Sequence, residues 1–222
     1  DATNARNFAG LNFDDAQVPA ENVLGEVNKW PVKTQLLLAY DKATPLIIPT
    51  QFSSDQAEVS EVIGKKCPAY VFGNYYDYSY ARFLLEARSQ KAMGARLGTI
   101  SDSFLRTLLW GALWDSVREA EMSPTEYISL AVRLLPTEKD EELIRSLLNQ
   151  ATITFQRYLS PAQQAVVGPQ LESLSYDRMM KSSEQGLRIT YFRAFSSIAS
   201  TPTARQQLKQ QRDEPHRQQA QR

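Results

Sequence analysis

Apolar and polar positions repeat along this chain with two different periods. Residues 31 to 75 carry short apolar runs divided by turn residues. KTQLLLAYD (33–41) and PLIIPT (45–50) flank the turn-like DKATP, QAEVSEVI (56–63) alternates over part of its length, and PAYVFGN (68–74) closes on Gly-Asn. Short runs bounded by Gly, Pro, Asp and Asn predict strands. Four at this spacing predict antiparallel pairing in a β-sandwich or sheet. Four strands are an incomplete sandwich, so the remaining partners are expected in the first 30 residues or outside this chain. The first 30 residues scatter Asp, Asn, Ala, Gly and Pro without a period and predict loop.

After Tyr80 the period becomes helical. SDSFLRTLLWGALWDSVREAE (101–121) places Phe104, Leu105, Leu108, Leu109, Ala112, Leu113 and Val117 at helical spacing. Trp110 and Trp114 broaden that stripe, and an apolar arc so wide predicts contact on two sides. Trp110, Trp114, Leu109 and Leu113 are therefore the expected structural core. A start signal then recurs. Ser123-Pro124-Thr125-Glu126 has the form of a capping box with Pro at the first helical position, Ser160-Pro161-Ala162-Gln163 repeats it, and Thr201-Pro202 repeats its first half. Two helices fit in each interval, the pace of HEAT-type repeats. Thr137-Glu138-Lys139-Asp140 offers a further start, opening a helix with Leu143, Ile144, Leu147, Leu148, Ile153 and Phe155. The end, QQLKQQRDEPHRQQAQR (206–222), reads as a polar tail, either a frayed helix end or a disordered extension.

Composition narrows the function. Lys plus Arg equals Asp plus Glu at 25 each, so no global charge draws the chain to nucleic acid or to an anionic membrane. No apolar run reaches the roughly 18 residues of a membrane span. A single cysteine, Cys67, permits no intrachain disulfide, and a reducing, cytoplasmic setting is expected. The start, DATNARNFAG, has neither an initiator Met nor a signal-peptide pattern, and suits a chain that begins inside a longer protein.

The candidate chemistry is sparse. The single histidine, His216, sits in the polar tail, so neither a His-rich zinc site nor a Ser-His-Asp arrangement is expected. There is no GxGxxG, Walker A, HExxH or CxxC. Glu141-Glu142 suits a helix start, where the dipole favours negative charge; Asp14-Asp15 is the other adjacent acidic pair. Asp115, Arg118 and Glu119 suit ion pairing on the back of the tryptophan helix. NYYDYSYARF (74–83) is less ordinary, with Tyr75, Tyr76, Tyr78 and Tyr80 where strands give way to helices. They fit an aromatic hinge with hydroxyls at a wet edge, or a rim facing a ligand or a neighbouring domain.

These segments carry a resemblance. NYYDYSYARFLLEARS, LGTISDSFLRTLLWGALWDSVREAEMSPTEYISLAVRLLPTEKDEELIRSLLNQ, RYLSPAQQ and LRITYFRAFSSIASTP together resemble the carboxyl-terminal part of bacterial M1-family zinc aminopeptidases, the aminopeptidase N type, over roughly residues 33 to 210. The resemblance implies a small β-sandwich that spaces the catalytic domain from a helical domain enclosing the peptide chamber. It also implies what this chain lacks: the family's HExxH helix and GAMEN-type motif would lie upstream. No catalytic residue and no metal ligand is therefore assigned to any position here. The cofactor, zinc, belongs to the presumed parent enzyme, and the implied partners are the upstream catalytic domain and a peptide substrate. A second, local resemblance links LNFDDAQVPAENVLGE (11–26) to acyl-CoA dehydrogenases, but the following VNKWPVKTQLLLAYD departs from that family.

The expectation is a partial β-sandwich followed by an α-helical HEAT-like array. An irregular segment at 1–30 precedes a sandwich portion at 31–76, a helical-repeat domain at 77–205 and a tail at 206–222. The expected role is that of the non-catalytic carboxyl-terminal region of a metalloaminopeptidase, inactive alone. The rival is a stand-alone helical-repeat module that binds a protein partner.

Overall fold

The computed structural model describes residues 31–52 and 58–219, with side chains to residue 211. The resemblance of residues 11–26 to acyl-CoA dehydrogenases, and the acidic pair Asp14-Asp15, lie outside the described residues. Strands come first and helices follow, in two compact units, one ending at Glu121 and one beginning at Met122.

The first unit holds a three-stranded antiparallel sheet, β1 (Val32–Ala39), β2 (Leu46–Phe52) and β3 (Tyr70–Phe72), in the order β2-β1-β3. The turn at DKATP joins β1 to β2 with Leu36 opposite Ile48 and Leu38 opposite Leu46, and β3 sets Val71 opposite Leu38. Side chains alternate between faces along a strand, so Leu36, Leu38, Ile48 and Val71 share one face and form its core. Leu37 and Ala39, on the other face of β1, are also buried. A central strand covered on both sides reads as the continuous run LLLA rather than as an alternation. Pro49 lies on β2, an edge strand, where a missing N–H is tolerated.

The expected strand at 56–63 is not one. Its described part contains a 3₁₀ turn, Ser60–Val62, and Val59 and Val62 pack against the sheet core. Residues three apart eclipse each other in a 3₁₀ turn, so both valines reach one surface without pairing to a strand. The apparent alternation was the spacing of a covering turn.

Two helices complete this unit, α1 (Ala87–Arg96) and α2 (Ser103–Arg118). Glu86 caps α1, its carboxylate accepting from the backbone N–H groups of Arg88 and Ser89, each at 2.6 Å. Ser89 then ties α1 to the sheet: the N–H of Val71 on edge strand β3 donates to its Oγ at 2.8 Å. Asp102 caps α2 through the N–H groups of Phe104 (2.9 Å) and Leu105 (3.2 Å).

The second unit is helical: α3 (Pro124–Leu134), α4 (Glu141–Arg157), α5 (Pro161–Lys181), α6 (Gln185–Ile198) and α7 (Pro202–Gln219). α5 packs on α6 and α3, and α4 on α6 and α3. Tyr127, Ile128 and Ala131 of α3, Leu147, Leu148 and Ala151 of α4, Leu171 of α5 and Phe195 of α6 fill its core. Glu141 and Glu142 occupy the first turn of α4, where their charge faces the positive end of the helix dipole.

The start signals fare unequally. Ser160 forms the full capping box: its Oγ accepts from the N–H of Gln163, and its own N–H donates to Gln163 Oε1 at 2.9 Å. Thr201 Oγ1 accepts from the N–H of Ala204 at 3.2 Å, so the third start is also capped. Ser123 does not cap α3; its hydroxyl is engaged with that of Thr125 at 2.8 Å instead. Thr137 closes a 3₁₀ turn, and the cap of α4 is Asp140, accepting from the N–H of Leu143 at 3.1 Å. The polar tail continues α7 as helix to Gln219, in keeping with the helix propensity of Gln, Arg and Lys. In α4, Ile153 is half-buried and Thr154 takes the interior place, returning its hydroxyl to the carbonyl of Gln150 at 2.8 Å.

Candidate functional site

The tyrosine segment folds as a tight turn directly after β3. Its organiser is Asn74, which is buried. The Asn74 amide donates to Asp77 Oδ1 at 3.1 Å and to the carbonyl of Ser79 at 2.9 Å, while its Oδ1 accepts from the N–H of Ser79 at 3.0 Å. Thr34 of β1 donates to the carbonyl of Gly73 at 2.5 Å, and Ser79 Oγ donates to the carbonyl of Lys33. One side chain thus closes the turn and two hydroxyls fasten it to the first strand. Gly73 is required by crowding: a Cβ there would sit 2.7 Å from Cδ1 of buried Phe83.

Within this frame Tyr76 and Asp77 adopt left-handed backbone, with φ of 62° and 53°. Such conformations cost an L-residue roughly 1–2 kcal/mol each and persist where surrounding bonds over-determine them. The Asn74 network supplies those bonds. The tyrosines do not share one environment. Tyr75 is half-buried and its ring lies 4.2 Å from that of Tyr76, centroid to centroid. Tyr76 and Tyr78 are exposed, and Tyr80 is fully so, at 109%. The structure therefore gathers Tyr75 and Tyr76 as a pair and leaves Tyr78 and Tyr80 pointing to solvent.

The chemistry of the turn follows. A hydrogen bond to Tyr76, then burial, push the Tyr75 hydroxyl up to about 12. It stays protonated at neutral pH, so it can donate and accept hydrogen bonds but not serve as a general base. Exposed rings with polar tips suit contact with a surface that is partly wet.

The tryptophan helix lies in the same unit. Leu109 and Leu113 are fully buried and Trp110 is 2% exposed, while Trp114 is half-buried. Phe104, which shares the sequence stripe, is 47% exposed. Arg118 pairs with Asp115 at 3.2 Å, and Arg82 pairs with Glu119. Burial raises the Asp115 carboxyl, against the pull of Arg118 and Arg82. Both pairs are partly exposed and contribute little to stability.

Among the described residues no group of three or more His, Cys, Asp or Glu is placed to hold a metal ion. No helix among them is long and apolar enough to cross a membrane. Cys67 is exposed. Sequence reasoning missed the residues that shape the turn, Asn74, Thr34 and Ser79. The Gly-Asn that ends β3 marks a turn, but nothing local shows that Thr34, 40 residues away, fastens it.

The helices and the turn that precedes them define the class. The profile of the ERAP1-like C-terminal domain matches residues 70–219, from β3 to the end of α7, and the chain belongs to that family. The match agrees with the resemblance read from the sequence, that to the carboxyl-terminal region of an M1 aminopeptidase. A curated relative, Aminopeptidase N of Streptomyces lividans, is 28% identical over 145 residues, which are 65% of this chain and 17% of that protein. The chain thus spans less than a fifth of the relative's length.

Proposed function

We propose that this chain is the non-catalytic carboxyl-terminal region of an M1-type metalloaminopeptidase. In this reading α3 to α6 and the start of α7 form a HEAT-like wall of the peptide chamber, within a helical-repeat domain read from sequence as 77–205. The sheet, within 31–76, is part of the sandwich that spaces this wall from the zinc catalytic domain upstream. Tyr75, Tyr76, Tyr78 and Tyr80 form a rim that faces that domain or the chamber, and the parent enzyme works in the cytoplasm. Zinc-activated water in the parent would cleave amino-terminal residues from peptides.

One observation carries the reading: the family match covers residues 70–219, which hold the tyrosine turn and helices α1 to α7. The test is zinc analysis of the purified chain paired with hydrolysis of an amino-acid anilide. The proposal predicts substoichiometric zinc and no turnover. Tight stoichiometric zinc with turnover would overturn it.

A further inference from the structure

We propose that α7 is a strap that opens and closes as a unit, latched to α5 by the carboxylate of Glu172. Glu172 lies in α5 between buried neighbours and is itself only 4% exposed. Its Oε1 accepts from the N–H of Ser200 at 2.6 Å, from Ser200 Oγ at 2.9 Å and from the N–H of Thr201 at 3.1 Å. Its Oε2 accepts from Thr201 Oγ1 at 2.5 Å. One carboxylate thereby collects four donors at the corner between α6 and α7. The Thr201 hydroxyl that donates to the latch also caps α7 through Ala204. Burial pushes the Glu172 carboxyl up, and the bonds from Thr201 and Ser200 outweigh it and hold the group below its ordinary value. The latch is therefore charged at neutral pH.

Among the described residues little else holds α7. Of its described side chains only Ala204 is buried; Gln207, Leu208 and Gln211 are half-buried, and Gln211 reaches Met180 Sδ at 3.8 Å. α6 is the contrast, with Tyr191, Ala194, Phe195 and Ile198 all buried. Peeling α6 away would uncover those rings and alkyl groups. Releasing the described part of α7 uncovers little hydrocarbon, and water rehydrates the freed carboxylate. Segments with few buried apolar groups open locally at low free energy while the rest stays folded. The boundary between the fixed helices and the strap falls at Ser200.

The test is amide hydrogen exchange, resolved by segment, on the full chain at neutral pH. In the wild type, amides of α7 should exchange before those of α4, α5 and α6. In Glu172→Gln they should exchange at least about tenfold faster, and still ahead of those of α4, α5 and α6. Thr201→Val removes a donor from the strap side, leaves α5 untouched, and should give the same pattern. Exchange of α7 in step with α5 and α6 in the wild type would overturn the strap. So would no acceleration in α7 in the variants, or failure of both variants to fold.

Discussion

Each unit holds one sharp reversal of its chain with a single buried side chain, and the two side chains differ in kind. In the first unit the neutral amide of Asn74 closes the turn at 74–79. In the second the anionic Glu172 gathers the corner at Ser200 and Thr201. An amide both donates and accepts, so it satisfies carbonyls and N–H groups together, without any charge to lose. A carboxylate only accepts, so it binds where donors converge, as they do ahead of a helix. The first device forces Tyr76 and Asp77 into left-handed backbone. The second is stronger per bond and depends on pH. The surroundings differ as well. The Asn74 turn presents aromatic rings to solvent, whereas the Glu172 corner presents almost none.

Substitutions can break or sharpen this contrast. The largest effect lies outside both devices: Trp110→Ala should destabilise the first unit by roughly 3–5 kcal/mol, because the ring is 2% exposed. Trp114→Ala, at a half-buried ring, should cost visibly less in the same denaturant titration. Equal losses would mean that the burial described for α2 is wrong. Next, Glu172→Gln should cost about 2–3 kcal/mol at neutral pH, the range for a lost charge-assisted bond. The folded pKa of Glu172 lies below its ordinary value of 4.5. The unfolded chain therefore binds the proton first, and stability from this group is lost as pH falls from about 4.5 through the folded value. Thermal melts of wild type and variant should converge as the pH is lowered through that window. A constant gap would remove the charge from the account.

Asn74→Ala should cost about 2 kcal/mol by leaving buried partners unsatisfied. Hydrogen exchange at Ser79 reads it directly. The smallest effect has the other sign. Among the described residues Ser175 Oγ, buried in α5, has no hydrogen-bond partner, so Ser175→Ala should be neutral or stabilising by up to about 1 kcal/mol. A clear loss in its melting temperature would show that the hydroxyl is engaged.

How much of this was legible in the sequence follows the same division. Helix starts are written within four residues, so Ser160, Thr201 and the acidic turn of α4 read correctly from local spacing. Ser123 shows the limit, since the same letters allow its hydroxyl to meet Thr125 rather than a backbone donor. The sheet depends on distant partners. The fastening of Thr34 to Gly73 and of Val71 to Ser89 leaves no local trace. The valines at 59 and 62 fit both a strand and a covering turn, and only the sheet beneath them decides. At the tyrosine turn the residue type was visible and the arrangement was not, because a left-handed Tyr76 is imposed by Asn74 rather than chosen by tyrosine. Glu172 was hidden for a related reason: one acid in a helix reads as solvated until its donors, 28 residues on, are in place.

The most direct test of the proposed role is a titration. Aminopeptidase N of Streptomyces lividans would be prepared without the segment that matches this chain. Its hydrolysis of an amino-acid anilide would then be followed as the purified chain is added. If this chain is the carboxyl-terminal region of such an enzyme, the rate should rise and saturate as the chain docks. A flat rate, with no complex on size-exclusion chromatography, would contradict the account.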